Sequence, residues 1–294
     1  MVMGRTWSRL ALGGLIGVVV GLSVGVALFA GQARSSTLAT TPSYLISPTL
    51  QHIKSSGTLR ACVDPEFPPE VYTAKNGKPA GFDVDLTEAL ATALGVKVSW
   101  VPSSFDGLIA GIQSGKCDYA LSGITPRGTR ALAVSFAKPT LAAAELVVVS
   151  KSEKGTTIAS LNVPSVKFCG QSGTGSEFDA KKYFPKTKIT LVPSASDCLL
   201  QLLSGKADAS ISDSVTGNGW LKAHPGQLKL VVTNEGLPAA PVSAAVPLGD
   251  LAFAAYLNVF FGEFINNGLY QPLFLKDMGY QPDMDQLYRQ RGNF

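Results

Sequence analysis

Apolar positions along the chain fall into short runs and helical stripes that alternate, and the alternation occurs twice. Residues 58–64 (TLRACVD) form a short apolar run bounded by turn signals, which predicts a strand. A proline-punctuated loop (PEFPPEVY) follows. In residues 81–95, Leu86, Leu90 and Leu94 share one helical face; Asp83 or Asp85 can cap its start and Gly95 its end. Residues 96–101 read as a strand, 103–115 as a capped helix closed by Gly115, and 117–123 as a third strand. The second half repeats this order: strand 165–173, helix 174–184, strand 188–193, helix 194–205, strand 207–213. Alternating strands and helices predict an α/β fold of mostly parallel sheets flanked by helices, with right-handed crossovers.

The repetition extends to residues. SGKCDYALSG (114–123) returns as SGKADASISD (204–213), and VPSSFDGLIAGIQSGKCD aligns with VPSASDCLLQLLSGKAD with one gap. The interval is about one domain, too long for a solenoid repeat, so a duplicated α/β lobe is the economical reading. Residues 242–250 read as a further strand, 251–268 as an amphipathic helix and 270–279 as a short helix. A first crossover between lobes is expected near residues 145–151 and a return near Thr233, giving a two-strand hinge with the tail packed on the first lobe. The predicted organisation is an export segment or anchor (1–33), a polar spacer (34–50), a first lobe (51–147 with 234–294) and a second lobe (148–233).

A chain of 294 residues with 46% hydrophobic positions can build two cored domains. The formal charge is +4, but Arg5, Arg9 and Arg34 supply three of those charges and the remainder carries only +1. No nucleic-acid footprint is predicted. Arg5 and Arg9 precede an uncharged stretch at residues 10–30, long enough to cross a bilayer, which reads as an export signal or an uncleaved anchor with everything after it outside. Gly13, Gly17, Gly21 and Gly25 form a GxxxG series able to pair membrane helices, although a glycine-rich export segment is the simpler reading. Export turns the four cysteines into candidate disulfides, with three pairings open. No Cys-x-x-Cys exists, and only His52 and His224 could add imidazole, so neither a metal site nor a cofactor is predicted.

Open parallel sheets bind ligands beyond the carboxyl ends of their strands, and two such edges facing each other make a cleft. The first lobe's third strand is followed by SGITPRGTR, which supplies Ser122, Gly123, Thr125 and Arg130. A guanidinium presents a fork matched to a carboxylate. QSGTGSE opens a helix whose free N–H groups, at Gly173, Thr174 and Gly175, suit an anion. Asp213 stands at the repeat position of Gly123 and suits an ammonium; Phe67 and Phe105 offer apolar walls. These groups together would hold both ends of an α-amino acid.

The ordered set GTLRACVDPEFPP, GFDVDL, FDGLIAGIQSGKCDYALSGIT, TRALAVSFAKP, SGTGSE and SGKADASISD resembles the bacterial extracellular solute-binding proteins of family 3, the amino-acid-binding components of ABC importers. The resemblance covers residues 51–279 and implies a two-lobed, type II periplasmic-binding fold that closes on one amino acid. It implies that Arg130 grips the α-carboxylate with Thr125 and N–H groups at Thr125, Thr174 and Gly175. Asp213 and the Gly123 carbonyl would take the ammonium, and Phe67 and Phe105 would sandwich the side chain. Asp64 lies where relatives that bind basic amino acids place a side-chain contact. Three positions depart from the pattern: Glu70 replaces an aromatic, Arg127 and Thr129 replace Thr and Glu near the key arginine, and Thr140 replaces Tyr. Asp64, Glu66 and Glu70 make the mouth acidic, favouring a cationic or neutral side chain. Given the two lobes, the expected cysteine pairs lie within each: Cys62–Cys117 and Cys169–Cys198.

The function expected is capture of an amino acid in the periplasm, or on the outer face of the cytoplasmic membrane, for permease subunits of an ABC transporter, without catalysis. Two rivals use the same chain. Relatives on this scaffold include cyclohexadienyl or arogenate dehydratases, for which Glu70 or Glu177 could act as the acid. Retention of the N-terminal stretch would instead give a membrane-tethered sensing module.

Overall fold

A computed structural model of the chain describes residues 46–231, 237 and 239–293. The predicted export segment, most of the predicted spacer and Thr233 lie outside them. The spacer reading is corrected at its end. Pro48 begins a helix, α1 (Pro48–Ser56), because Ser47 accepts a hydrogen bond from the Leu50 N–H, proline suits the first turn, and Gly57 closes the helix in the left-handed region.

The first strand, β1 (Thr58–Val63), leads into a small antiparallel sheet of β2 (Glu66–Phe67), β3 (Val71–Thr73) and β4 (Pro79–Ala80). Then come α2 (Phe82–Leu94), β5 (Lys97–Pro102), α3 (Phe105–Gln113), β6 (Tyr119–Ala120), α4 (Gly128–Ala131) and β7 (Val134–Phe136). The second series is β8 (Glu145–Ser150), α5 (Ile158–Leu161), β9 (Lys167–Gln171), α6 (Gly175–Tyr183), β10 (Lys188–Val192), α7 (Ala195–Leu203), β11 (Ala209–Asp213), α8 (Ser214–Ala223) and β12 (Leu228–Val231). Then the chain runs through β13 (Ala245–Pro247), α9 (Leu251–Asn266), α10 (Tyr270–Met278) and α11 (Met284–Gly292).

Two five-stranded sheets have the same plan: β5-β1-β6-β13-β7 and β10-β9-β11-β8-β12. In each, three strands run parallel and the fourth in order is antiparallel. The fold is therefore α/β with two mixed, mostly parallel sheets. The antiparallel member comes from chain that has crossed from elsewhere, β8 in the second sheet and β13 in the first. The apolar run ELVVVS is thus a strand inside the second sheet, and the passage between the sheets lies just before it. The crossings lie at residues 141–144 and 239–242, which pair antiparallel at Leu141–Val242 and Ala144–Ala239. The Ala240 N–H donates to the Ala143 carbonyl (2.9 Å) and the Val242 N–H to the Leu141 carbonyl (2.9 Å). Thr140, a departure noted above, is buried here and donates to the Val242 carbonyl.

The tail completes the first core. Phe253, Leu257, Phe261 and Phe274 from α9 and α10 pack with Leu59, Phe82, Leu86 and Leu90, where Phe82 meets Tyr270 and Phe274 edge to face. Both expected disulfides are present: Cys62–Cys117 and Cys169–Cys198. Loops of this length contribute about 3–4 kcal/mol each in the loop-closure account. The first disulfide also explains Gly111 in α3, where a Cβ would stand 2.6 Å from Cys62 Sγ.

Candidate ligand-binding cleft

The carboxyl ends of β1, β6, β9 and β11 converge on a cleft of about 490 Å³, counted with its mouth. Eight of the eleven residues expected in a site line it: Phe67, Phe105, Gly123, Thr125, Arg130, Thr174, Gly175 and Asp213. Each arrives by a local necessity. Phe105 opens α3 where β5 has just ended. Gly123 turns the chain out of the first sheet at φ +62°, a left-handed conformation that glycine adopts freely. Arg130 is carried by the single turn of α4. Thr174 precedes α6 and donates its hydroxyl to the Gln171 carbonyl (2.7 Å), leaving no side-chain cap on that helix. The first residues of that helix, Gly175 and Ser176, line the cleft. Asp213 ends β11 and caps α8; one oxygen accepts from Val215 and Thr216 N–H (2.8 and 2.9 Å).

Arg130 is 8% exposed, and its guanidinium ties the two halves together. It donates to the Thr125 carbonyl and to the Gly173 carbonyl, both at 2.6 Å, and lies 5.1 Å over the Phe105 ring. Burial, with Arg127 nearby, lowers its pKa to about 10, so it stays charged at neutral pH.

Three expected residues stand elsewhere. Asp64 is buried and accepts from the Gln171 amide (3.2 Å), so no oxygen of it lines the cleft. Ser122 is fully buried, and its hydroxyl oxygen accepts from the Asp64 N–H, fastening β1 to the exit of β6. Gly173 faces a neighbouring pocket with Asp106 and Phe178, and its N–H donates to Glu177. The expected sandwich also changes form. Phe67 and Phe105 meet edge to face at 5.4 Å, so a side chain would rest on their joint surface and not between them.

The cleft gains residues the sequence did not single out: Glu145, Gln171, Ser176, Ala195, Cys198, Ser210, Ile211, Ser212 and Trp220. Trp220 lies about two turns beyond Asp213 on the same face of α8, and Glu145 opens β8. The sequence assigns neither to the site, because only the folded sheet order brings them to this edge.

The electrostatics lean acidic. Burial raises Asp64 to about 7, Asp83 to about 7 and Glu145 to about 8, and pushes Asp213 and Glu70 upward. Among the described residues, no Lys or Arg forms an ion pair with Glu70, Asp83 or Asp213. Glu177 behaves differently. Although burial opposes it, Lys181 and the Gly173 N–H hold its carboxylate below the usual range. It is therefore ionised and unsuited to act as an acid.

Arg127 does not line the cleft. It reaches from the first half to Asp179 on α6 with two contacts, at 2.6 and 3.3 Å, and stands 3.7 Å from Glu145. Asp179 is 2% exposed. Replacing Arg127 by Ala would leave that buried carboxylate without its partner, which disfavours the closed arrangement. Ligand affinity is expected to fall about tenfold, read by calorimetric titration. An affinity within about twofold of the parent would mean that this bridge does not sustain closure.

Residues 59–279 match the bacterial extracellular solute-binding proteins, family 3, and the chain belongs to that family. The family is extracytoplasmic, and the two disulfides are consistent with export. The chain is 29% identical over 211 residues to a cyclohexadienyl dehydratase of Pseudomonas aeruginosa, covering 71% of this chain and 78% of that one. It is 27% identical to an L-arginine-binding protein of the same organism, covering 73% and 85%. A crystal structure of an ancestral amino-acid-binding protein, a precursor of cyclohexadienyl dehydratase, superposes with a TM-score of 0.73 at 34% identity, covering 78% and 99%. The fold is that of type II periplasmic amino-acid-binding proteins.

Proposed function

We propose that this protein captures an amino acid outside the cytoplasm and delivers it to the permease subunits of an ABC importer without transforming it. One observation carries the reading: a buried, charged Arg130 and an acidic Asp213 line the same cleft, which both sheets build. The ligand's carboxylate would meet Arg130, Thr125 and the open N–H groups of Gly175 and Ser176. Its ammonium would meet Asp213 and the Gly123 carbonyl, and its side chain would lie against Phe67, Phe105 and Trp220. Closure over the ligand removes water from these pairs and strengthens them. Glu145 and Asp213, the two acidic residues of the lining, support a cationic or neutral side chain. The relative that binds L-arginine is in keeping with this.

The test is a thermal-shift panel of the common L-amino acids, with Arg130→Ala and Asp213→Ala beside the parent. At least one amino acid should raise the parent's melting temperature and neither variant's. A panel in which only aspartate and glutamate register would overturn the cationic-or-neutral assignment, and a panel with no shift would overturn the amino-acid reading.

A second reading has one observation in its favour. Buried carboxyl groups with raised pKa values, Glu145 at about 8 and Glu70 pushed upward by burial, are suited to general-acid chemistry, and a dehydratase is among the relatives. Incubation with prephenate and with arogenate, followed by ultraviolet absorbance, separates the two readings.

A further inference from the structure

Glu70 is the least expected charge in the molecule. It is 1% exposed, in the loop between Phe67 and β3, and its Oε1 meets no hydrogen-bond partner. Its other oxygen lies beneath the cleft: a Cβ built on Gly123 would stand 3.1 Å from Glu70 Oε2 and 3.9 Å from the Phe67 ring. Gly123 and Phe67 both line the cleft. Asp83, fully buried on α2, accepts from the Gly123 N–H (3.0 Å), and its Oδ1 is also without a partner. Asp213 acts on both carboxyl groups electrostatically. Two carboxyl groups thus flank Gly123, and a third, Asp213, lines the same cleft. A buried carboxylate without a cation is held against the preference of its charge for water. A loop position that an apolar residue would fill comfortably instead carries this charge.

We propose that Glu70 is a specificity-determining residue: behind Gly123 it reinforces Asp213, so that the cleft takes ligands whose own ammonium supplies the missing positive charge and rejects the same skeleton without its amine. This rests on the reading of the cleft as an amino-acid site. Burial and the neighbouring carboxyl groups favour proton uptake by this cluster in the free protein. The groups that interact electrostatically with Glu70 are Asp83 on α2, Asp213 at the head of α8, Tyr270 on α10 and Tyr280 just beyond it; none is a cation. An entering ammonium takes over the proton's role, so binding releases part of a proton to solvent. Substrates with a keto or hydroxyl group in place of the amine gain nothing from this pole and meet its negative charge.

Calorimetric titration near neutral pH, in two buffers of different ionisation heat, tests this on the intact protein. The probes are L-arginine against guanidinovalerate, L-lysine against aminocaproate, L-glutamine against glutaramate, and L-phenylalanine against phenylpyruvate. For the amino acid that binds, the deaminated partner should be about a hundredfold weaker, and binding should release about half a proton. In Glu70→Gln the amino acid still binds, the gap narrows about tenfold and proton release is lost. Glu70→Met, which fills the space without charge, is read alongside and should give the same pattern. If both variants keep the parent's discrimination and proton release, Glu70 is structural and the inference is overturned while the amino-acid reading stands. If no probe binds the parent, the amino-acid reading falls and this inference with it.

Discussion

Raising the pH from about 5 to about 8 is expected to destabilise the ligand-free protein by several kcal/mol. Asp64 and Asp83 have folded pKa values of about 7 and Glu145 of about 8, all raised first by burial. In the unfolded chain these groups ionise near pH 4, so between the two values the unfolded state holds fewer protons. A raised carboxyl pKa therefore leaves stability intact below the unfolded value and removes it as pH climbs toward the folded value. A shift of about three units corresponds to at most about 4 kcal/mol per group. Glu70 and Asp213, also raised, act in the same direction. Urea denaturation across this range measures the effect. A flat or rising stability would show that the folded state ionises these carboxyls and pairs them. A bound ammonium should recover most of the loss at the alkaline end.

Removing the guanidinium is the other large effect. Arg130→Ala should weaken the amino-acid ligand about a thousandfold, since one half of a buried charge pair is lost and the carboxylate is left without it. The same change removes the donors that hold the Thr125 and Gly173 carbonyls, one from each side of the cleft. Arg130→Lys separates the two roles. It keeps the charge but not the fork, so affinity should recover only in part, to about a hundredfold below the parent. Calorimetric titration decides it, and affinity within about threefold of the parent in Arg130→Ala would remove Arg130 from the binding role.

Much of this organisation was readable in the sequence because the two halves carry the same punctuation. Helix-ending glycines at Gly95, Gly115 and Gly205 and the repeated SGK segments located β1, β5 and β6 and their counterparts β9, β10 and β11. The strand ends then delivered Phe105, Gly123, Thr125, Arg130, Thr174 and Asp213 to one edge. What escaped depended on pairings between distant segments. ELVVVS reads as apolar chain wherever it is used, and only its partners β11 and β12 make it an antiparallel strand. Glu145, Gln171 and Trp220 reach the cleft through that same sheet order. Asp64 went the other way: its strand ends at the cleft, but the Gln171 amide turns its carboxyl aside. The first helix, by contrast, had a local signal in Ser47, Pro48 and Gly57 that the polar composition around it masked. Arg127 and Glu70 stood out as unusual residues, but nothing in sequence said that one faces Asp179 and the other lies beneath Gly123.

The bonded ladder between residues 141–144 and 239–242 restricts how this molecule can move. Two separate tethers would let the halves swivel as well as bend. Stitched side by side, they act as a single strip that flexes across its flat face and resists torsion. If the two halves move about this strip, bending across its face is favoured over twisting.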